Sequence, residues 1–124
     1  MTERRNLGDF GERVAAYRLE SLGMRILGRN VRVGRIEADI IAEDGTEIVF
    51  VEVRTRRGQA GLAAESLAPA KLQRMWQLAM TYCDRNAIDP ANARIDVIAV
   101  DLDSYGAARS IEHFRAIEIP EIED

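Results

Sequence analysis

Apolar residues recur along the chain with two different periods, and the change of period marks the elements. Leu7, Phe10, Val14 and Tyr17 follow helical spacing, and Gly23 after Leu22 supplies a stop; this predicts a helix over 7–22. Met24 to Leu27 reads as a short extended segment, and 29–35 continues as strand or loop. Ile36 to Ala42 and Ile48 to Val53 are β-rich runs around Glu43-Asp44-Gly45-Thr46. Asp-Gly between such runs is a hairpin signal. The stretch 55–66 is polar and rich in Gly and Ala, a long loop. Pro69 then opens a second helix over 69–85, with Ser66 helping to cap it and Leu72, Met75, Trp76, Ala79 and Cys83 as its apolar stripe. A strand over 94–101 has a continuously apolar centre, Val97 to Val100, and is therefore internal. An edge strand over 110–117 follows, then an acidic tail expected to fray. With no repeat and no linker, residues 1–124 read as one α/β or α+β domain with its core over about 7–117.

The hairpin carries charges that do not belong in the middle of a sheet. Side chains alternate faces along a strand. A two-residue Asp-Gly or Gly-Thr loop puts odd positions of the first strand on the same face as even positions of the second. One face then holds Ile36, Ala38, Ile40, Val49, Val51 and Val53. The other holds Glu37, Asp39 and Ile41 against Ile48, Phe50, Glu52 and Arg54. Near the turn this second face is apolar; away from it stand three carboxylates and a guanidinium. Unpaired buried charge is very costly, so such groups are paired, wet or binding something. In one reading Arg54 neutralises Glu37 or Asp39 in a salt-bridge network. In the other, carboxylates on adjacent strands aim into one pocket and hold an oxygen-loving divalent cation. Such an ion activates water and stabilises the charge of phosphodiester cleavage. Glu12 shares a helix face with Ala15, Ala16 and Leu19, away from the Phe10/Val14/Tyr17 stripe. It either joins the cluster or is an ordinary solvated carboxylate near a helix start.

Composition narrows the chemistry. With 47% apolar and 31% charged residues the chain is a folded globular one, not a disordered one. A single cysteine, Cys83, excludes an internal disulfide and a Cys-rich zinc site, and a single histidine, His113, excludes a His-based metal cluster. Any metal must then be held by carboxylates and carbonyls, which points to magnesium or manganese. A net charge of −4 and a pI near 5.1 oppose tight, indiscriminate binding to nucleic acid. The charge is uneven, however: residues 1–60 sum to +1 and 61–124 to −5. Arg25, Arg29, Arg32 and Arg35 follow one another with no acid among them, and Arg54, Arg56 and Arg57 form a second cluster. Arginine forks suit phosphate oxygens. Cys83 and Trp76 fall on an apolar stripe and read as core. Asp96, at the start of its strand, reads as a surface or capping residue, and His113 receives no role. No apolar run approaches the roughly 18 residues of a membrane helix, and no apolar segment follows Met1-Thr-Glu-Arg-Arg as in a signal peptide. The expected address is the cytoplasm, without membrane contact.

Asp39, followed a hairpin later by Glu52-Val53-Arg54, resembles the PD-(D/E)XK signature of restriction-endonuclease-like nucleases. More of the chain resembles one family of that superfamily, the small bacterial YraN-type proteins. The matching pieces are Gly11-Glu12, Gly23 to Leu27 with Arg29-Asn30, Glu37 to Ala42, Asp44-Gly45, Val49 to Arg56, Ala64 to Ser66, Pro69-Ala70-Lys71 and Arg94 to Val100. The tripeptide alone is a weak signal; the ordered set is a strong one.

The resemblance implies a restriction-endonuclease-like α/β fold, a central mixed sheet with a helix on either side, shared with archaeal Holliday-junction resolvases. It implies that Asp39 and Glu52 are the metal-binding carboxylates and that Glu12 stands for the helix-borne glutamate of resolvase-like members. It implies a magnesium- or manganese-dependent nuclease acting on DNA, branched DNA included; the residues themselves do not distinguish DNA from RNA. Arg54 would contact the scissile phosphate. Arg56, Arg57, Arg32 and Arg35 would position the backbone, and Lys71 and Gln73 would face the substrate from the second helix. A homodimer would supply the two sites that cutting a duplex commonly needs. Two positions depart from the pattern. The superfamily's catalytic lysine is Arg54 here, which stays protonated and cannot serve as a base; Lys71, the chain's single lysine, is the alternative group to reach the site. The glycine that precedes Glu37 in the family is Ile36, with Gly34 displaced upstream. These departures leave a nucleic-acid-binding module without chemistry, or a protein-interaction domain, as the alternative functions.

Overall fold

The computed structural model describes residues 3–57 and 67–119, the side chains of 3–6 excepted. Helix α1 (Glu3–Ser21) leads into strands β1 (Arg25–Val33), β2 (Ile36–Asp44) and β3 (Glu47–Arg57). Helix α2 (Pro69–Arg85) and a short 3₁₀ turn (Pro90–Asn92) lead into β4 (Ala93–Leu102) and β5 (Ala108–Phe114). The strands lie in sequence order, and all pair antiparallel except β3 with β4. That parallel step needs a crossover, and α2 supplies it. The result is α/β, a five-stranded mixed sheet with a helix on each face, as the resemblance implies.

Each helix buries one face of the sheet. Ala15, Ala16 and Leu19 of α1 cover Ile40, Ala42, Val49, Val51, Ile98 and Val100. Met75, Leu78, Ala79 and Cys83 of α2 cover Ala38, Ile41, Ile48, Phe50 and Ile95. Burying such side chains is worth roughly 1.5–3 kcal/mol each for the larger ones, so these two layers hold the domain together.

Several expectations shift. On α1 the small residues face the sheet, and Tyr17, expected on the buried stripe, is 76% exposed; Leu7, Phe10 and Val14 pack at the margin. Apolar spacing cannot distinguish an alanine face from a larger stripe beside it, and close helix–sheet contact favours the smaller one. Residues 25–33 form one strand, irregular between Ile26 and Gly28 and with Asn30 in the left-handed region (φ 52°). Thr55, Arg56 and Arg57, expected in a loop, extend β3 alongside β4. The N-cap of α2 is Ala68, without a side-chain hydrogen bond; Ser66, the rest of the expected loop and the tail from 120 lie outside the described residues.

Asp96 and His113 are also placed differently from expectation. Asp96 is fully buried and accepts from Arg94 (3.1 Å) and from the Ala116 backbone N–H (3.0 Å), while His113 Nε2 lies 2.8 Å from it. Arg94 also reaches Asp44 (2.9 Å) and Glu47 (2.8 Å) at the β2–β3 turn. Burial opposes the Arg94 charge, but the Asp96 hydrogen bonds and charge, then Asp44 and Glu47, outweigh it and hold its pKa above the usual range. The network ties the start of β4 to the hairpin turn and to the segment after β5.

Candidate functional site

The site forms where β2 and β3 part. From the Gly45-Thr46 turn the two strands pair as far as Ile40 and Val51, and there the ladder stops. The two-residue turn gives the parity expected, and its Gly45-Thr46 register brings Asp39 opposite Glu52, one step beyond the last pair. The alternation nevertheless breaks at Asp39. Ile40 belongs to the layer under α1, but Ala38 belongs to the layer under α2, which corrects the single apolar face expected for Ile36, Ala38 and Ile40. On the other side of β2 the pairing with β1 skips Asn30 and Asp39. Asp39 replaces the missing ladder partner: its Oδ2 accepts the Val53 backbone N–H at 2.8 Å.

The opening is a cleft of about 750 Å³ lined by Leu7, Gly8, Glu12, Asp39, Glu52 and Val53 to Arg57. Three elements thus deliver the three carboxylates: α1 Glu12, β2 Asp39 and β3 Glu52. Burial pushes the Asp39 carboxyl up to about 7; the Glu52 charge and a hydrogen bond with it add to this, and the Val53 N–H opposes it. Burial, then the charge of Asp39, also raises Glu12, against hydrogen bonds from Asn30 and Arg29. Arg29 sits 3.5 Å from Glu12, and Lys71 Nζ sits 3.4 Å from Glu52. Each flanking carboxylate therefore has its own cation.

Arg54 lines the cleft but makes no ion pair among the described residues, so it does not neutralise Glu37 or Asp39. Glu37 lies outside the cluster, exposed and paired with Arg32 at 3.4 Å. Arg56 and Arg57 line the cleft, with Arg57 reaching the Ser104 carbonyl at 2.9 Å. Lys71 arrives from the first turn of α2, and Gln73 lies two residues on. Arg32 and Arg35 stand outside the cleft, on and beside the β1–β2 turn at the same end of the sheet. Asn30 is the site residue that sequence reasoning did not single out. Its one signal is a residue type that tolerates the left-handed region.

In class this is an α/β protein with a mixed sheet that carries paired carboxylates where two strands diverge. The chain belongs to the uncharacterised protein family UPF0102, whose model matches residues 11–100. The UPF0102 protein of Syntrophus aciditrophicus is 43% identical over 107 residues, covering 86% of this chain and 84% of its own. That of Pelotomaculum thermopropionicum is 44% identical over 114 residues, 90% of this chain and 93% of its own. Among solved structures, Pyrococcus furiosus SfsA in complex with Ca2+ aligns with a TM-score of 0.41 and 17% identity over 90% of this chain and 63% of that one.

Proposed function

We propose that the protein is a divalent-metal-dependent nuclease that cleaves DNA phosphodiesters. The observation that carries this reading is the Asp39–Glu52 pair, two neighbouring carboxylates from parting strands that line one cleft together with Arg54, Arg56 and Arg57. The described residues contain no group of three or more His, Cys, Asp or Glu side chains placed to hold a metal ion together. The pair nevertheless fits the donor chemistry of magnesium or manganese, which bind through one or two carboxylates and keep several waters. Asp39 and Glu52 would hold the ion, with Glu12 contributing from α1. When bound, the ion polarises the phosphate and lowers the pKa of a water.

The chain's own residues supply the rest. Arg54, which has no ion-pair partner among the described residues, contacts the scissile phosphate and stabilises charge in the transition state. Lys71 reaches Glu52 from α2 and orients the attacking water in place of the strand lysine. Arg56, Arg57 and Gln73 position the backbone near the cleft, and Arg32 and Arg35 extend the contact along the same end of the sheet. Branched DNA is the first structure to offer it, RNA the second, and a homodimer would bring two sites to a duplex. The reading places the protein in the cytoplasm; no helix among the described residues is long and apolar enough to cross a membrane.

The test is cleavage of linear, single-stranded and four-way-junction DNA with manganese or magnesium. Cleavage by the wild type and none by a folded Asp39→Ala variant supports the proposal. Equal activity in the two overturns it. Salt-sensitive DNA binding without cleavage would favour the binding module, the reading that Arg54 in place of lysine supports. Neither DNA affinity nor metal uptake would favour an interaction domain.

A further inference from the structure

Helix α1 meets β3 at one point of very close approach. Gly11 is buried, and a Cβ built on it would overlap the Thr55 hydroxyl and lie 3.0 and 3.1 Å from Thr55 Cβ and Cγ2. Gly8, one turn earlier, has nothing within 4 Å of such a Cβ, so proximity does not call for a glycine there. Glycine is the least favourable helix-interior residue after proline, which makes its use at 11 costly to the helix itself. The contact has an evident beneficiary. Glu12 follows directly, and both Glu12 and Thr55 line the cleft that holds Asp39 and Glu52. Ala15 and Ala16 continue the same small face onto the sheet.

We infer that Gly11 is a positioning residue: its contact with Thr55 sets the depth at which α1 carries Glu12 into the cleft beside Asp39 and Glu52. A methyl at 11 cannot be absorbed by a flexible side-chain end, because Thr55 is short and stiff on a central strand. The helix must back away, and Glu12 retreats with it. The inference rests on the metal reading above.

Manganese titration calorimetry on the folded protein tests it, with thermal melting to verify folding. Gly11→Ala weakens binding by about tenfold, in the range known for residues that support a metal ligand. Glu12→Ala weakens it similarly, and Gly11→Ala/Glu12→Ala is no weaker than Glu12→Ala. Thr55→Gly added to Gly11→Ala relieves the overlap and restores affinity; this pair also serves if Gly11→Ala alone does not fold. Unchanged affinity in Gly11→Ala, or a loss of the same size with and without Glu12, overturns the positioning role and leaves the metal reading standing. No uptake by the wild type overturns the metal reading first, and the positioning role with it.

Discussion

Asp39 does two jobs that pull in opposite directions. It completes the backbone of β3 by accepting the Val53 N–H, and it stands beside Glu52 in a partly desolvated cleft. Its carboxyl is raised from an ordinary 3.8 to about 7, so between those values the folded protein holds a proton that the unfolded chain has lost. The stability from this group is therefore complete below about pH 4 and is lost as pH rises through 7. In urea unfolding, Asp39→Asn should gain on the wild type from about pH 4 to about pH 7 and level off above that; a difference independent of pH contradicts the assignment. Lys71 offers a second test at this scale. Lys71→Ala should lower the cleavage rate by about 100-fold, the lower end for a group that moves or orients a proton, while leaving manganese affinity nearly unchanged. An unchanged rate would remove Lys71 from the chemistry.

Among the elements, the hairpin was the most legible in sequence. The Asp-Gly signal marks a two-residue turn there, and either candidate loop puts Asp39 and Glu52 on one face; only the observed Gly45-Thr46 loop, with Asp44 paired to Glu47, sets the register that brings Asp39 opposite Glu52. What the sequence does not show is where the ladder ends, because the alternation that marks the hairpin carries no signal for the point at which β2 and β3 part or for the left-handed Asn30 across from Asp39. The body of helix α1 is legible, although it begins at Glu3, four residues before the first apolar position of the expected 7–22; its buried face is not legible, because alanines carry little signal beside Phe10 and Tyr17. Asp96 was the largest miss: its partners Arg94, His113 and Ala116 meet only when β4 and β5 pair. Asp96→Ala leaves His113 and the Ala116 N–H without their acceptor, while Arg94 keeps Asp44 and Glu47, and should cost about 1–3 kcal/mol in urea unfolding, as an unsatisfied buried polar group does. A loss under about 1 kcal/mol would show the network to be incidental.

Across the whole molecule the two charge systems occupy opposite ends of the sheet. The Arg94–Asp96 network secures the hairpin-turn end, and the carboxylate cleft opens at the other, where β1 turns into β2 and β3 outruns its partner. The overall charge of −4 therefore conceals a local surface of Arg54, Arg56, Arg57 and Lys71 around the cleft. Arg56→Ala should reduce the slope of log affinity against log salt for DNA by about 1, as loss of one phosphate contact does. An unaltered slope removes Arg56 from the interface. The claim on which the account depends is that Asp39 and Glu52 together hold a divalent cation. Calorimetric titration of manganese into the wild type and into Asp39→Ala tests it most directly. Uptake by the wild type that is lost in the folded variant is the predicted result; equal uptake by both, or none by the wild type, would contradict it.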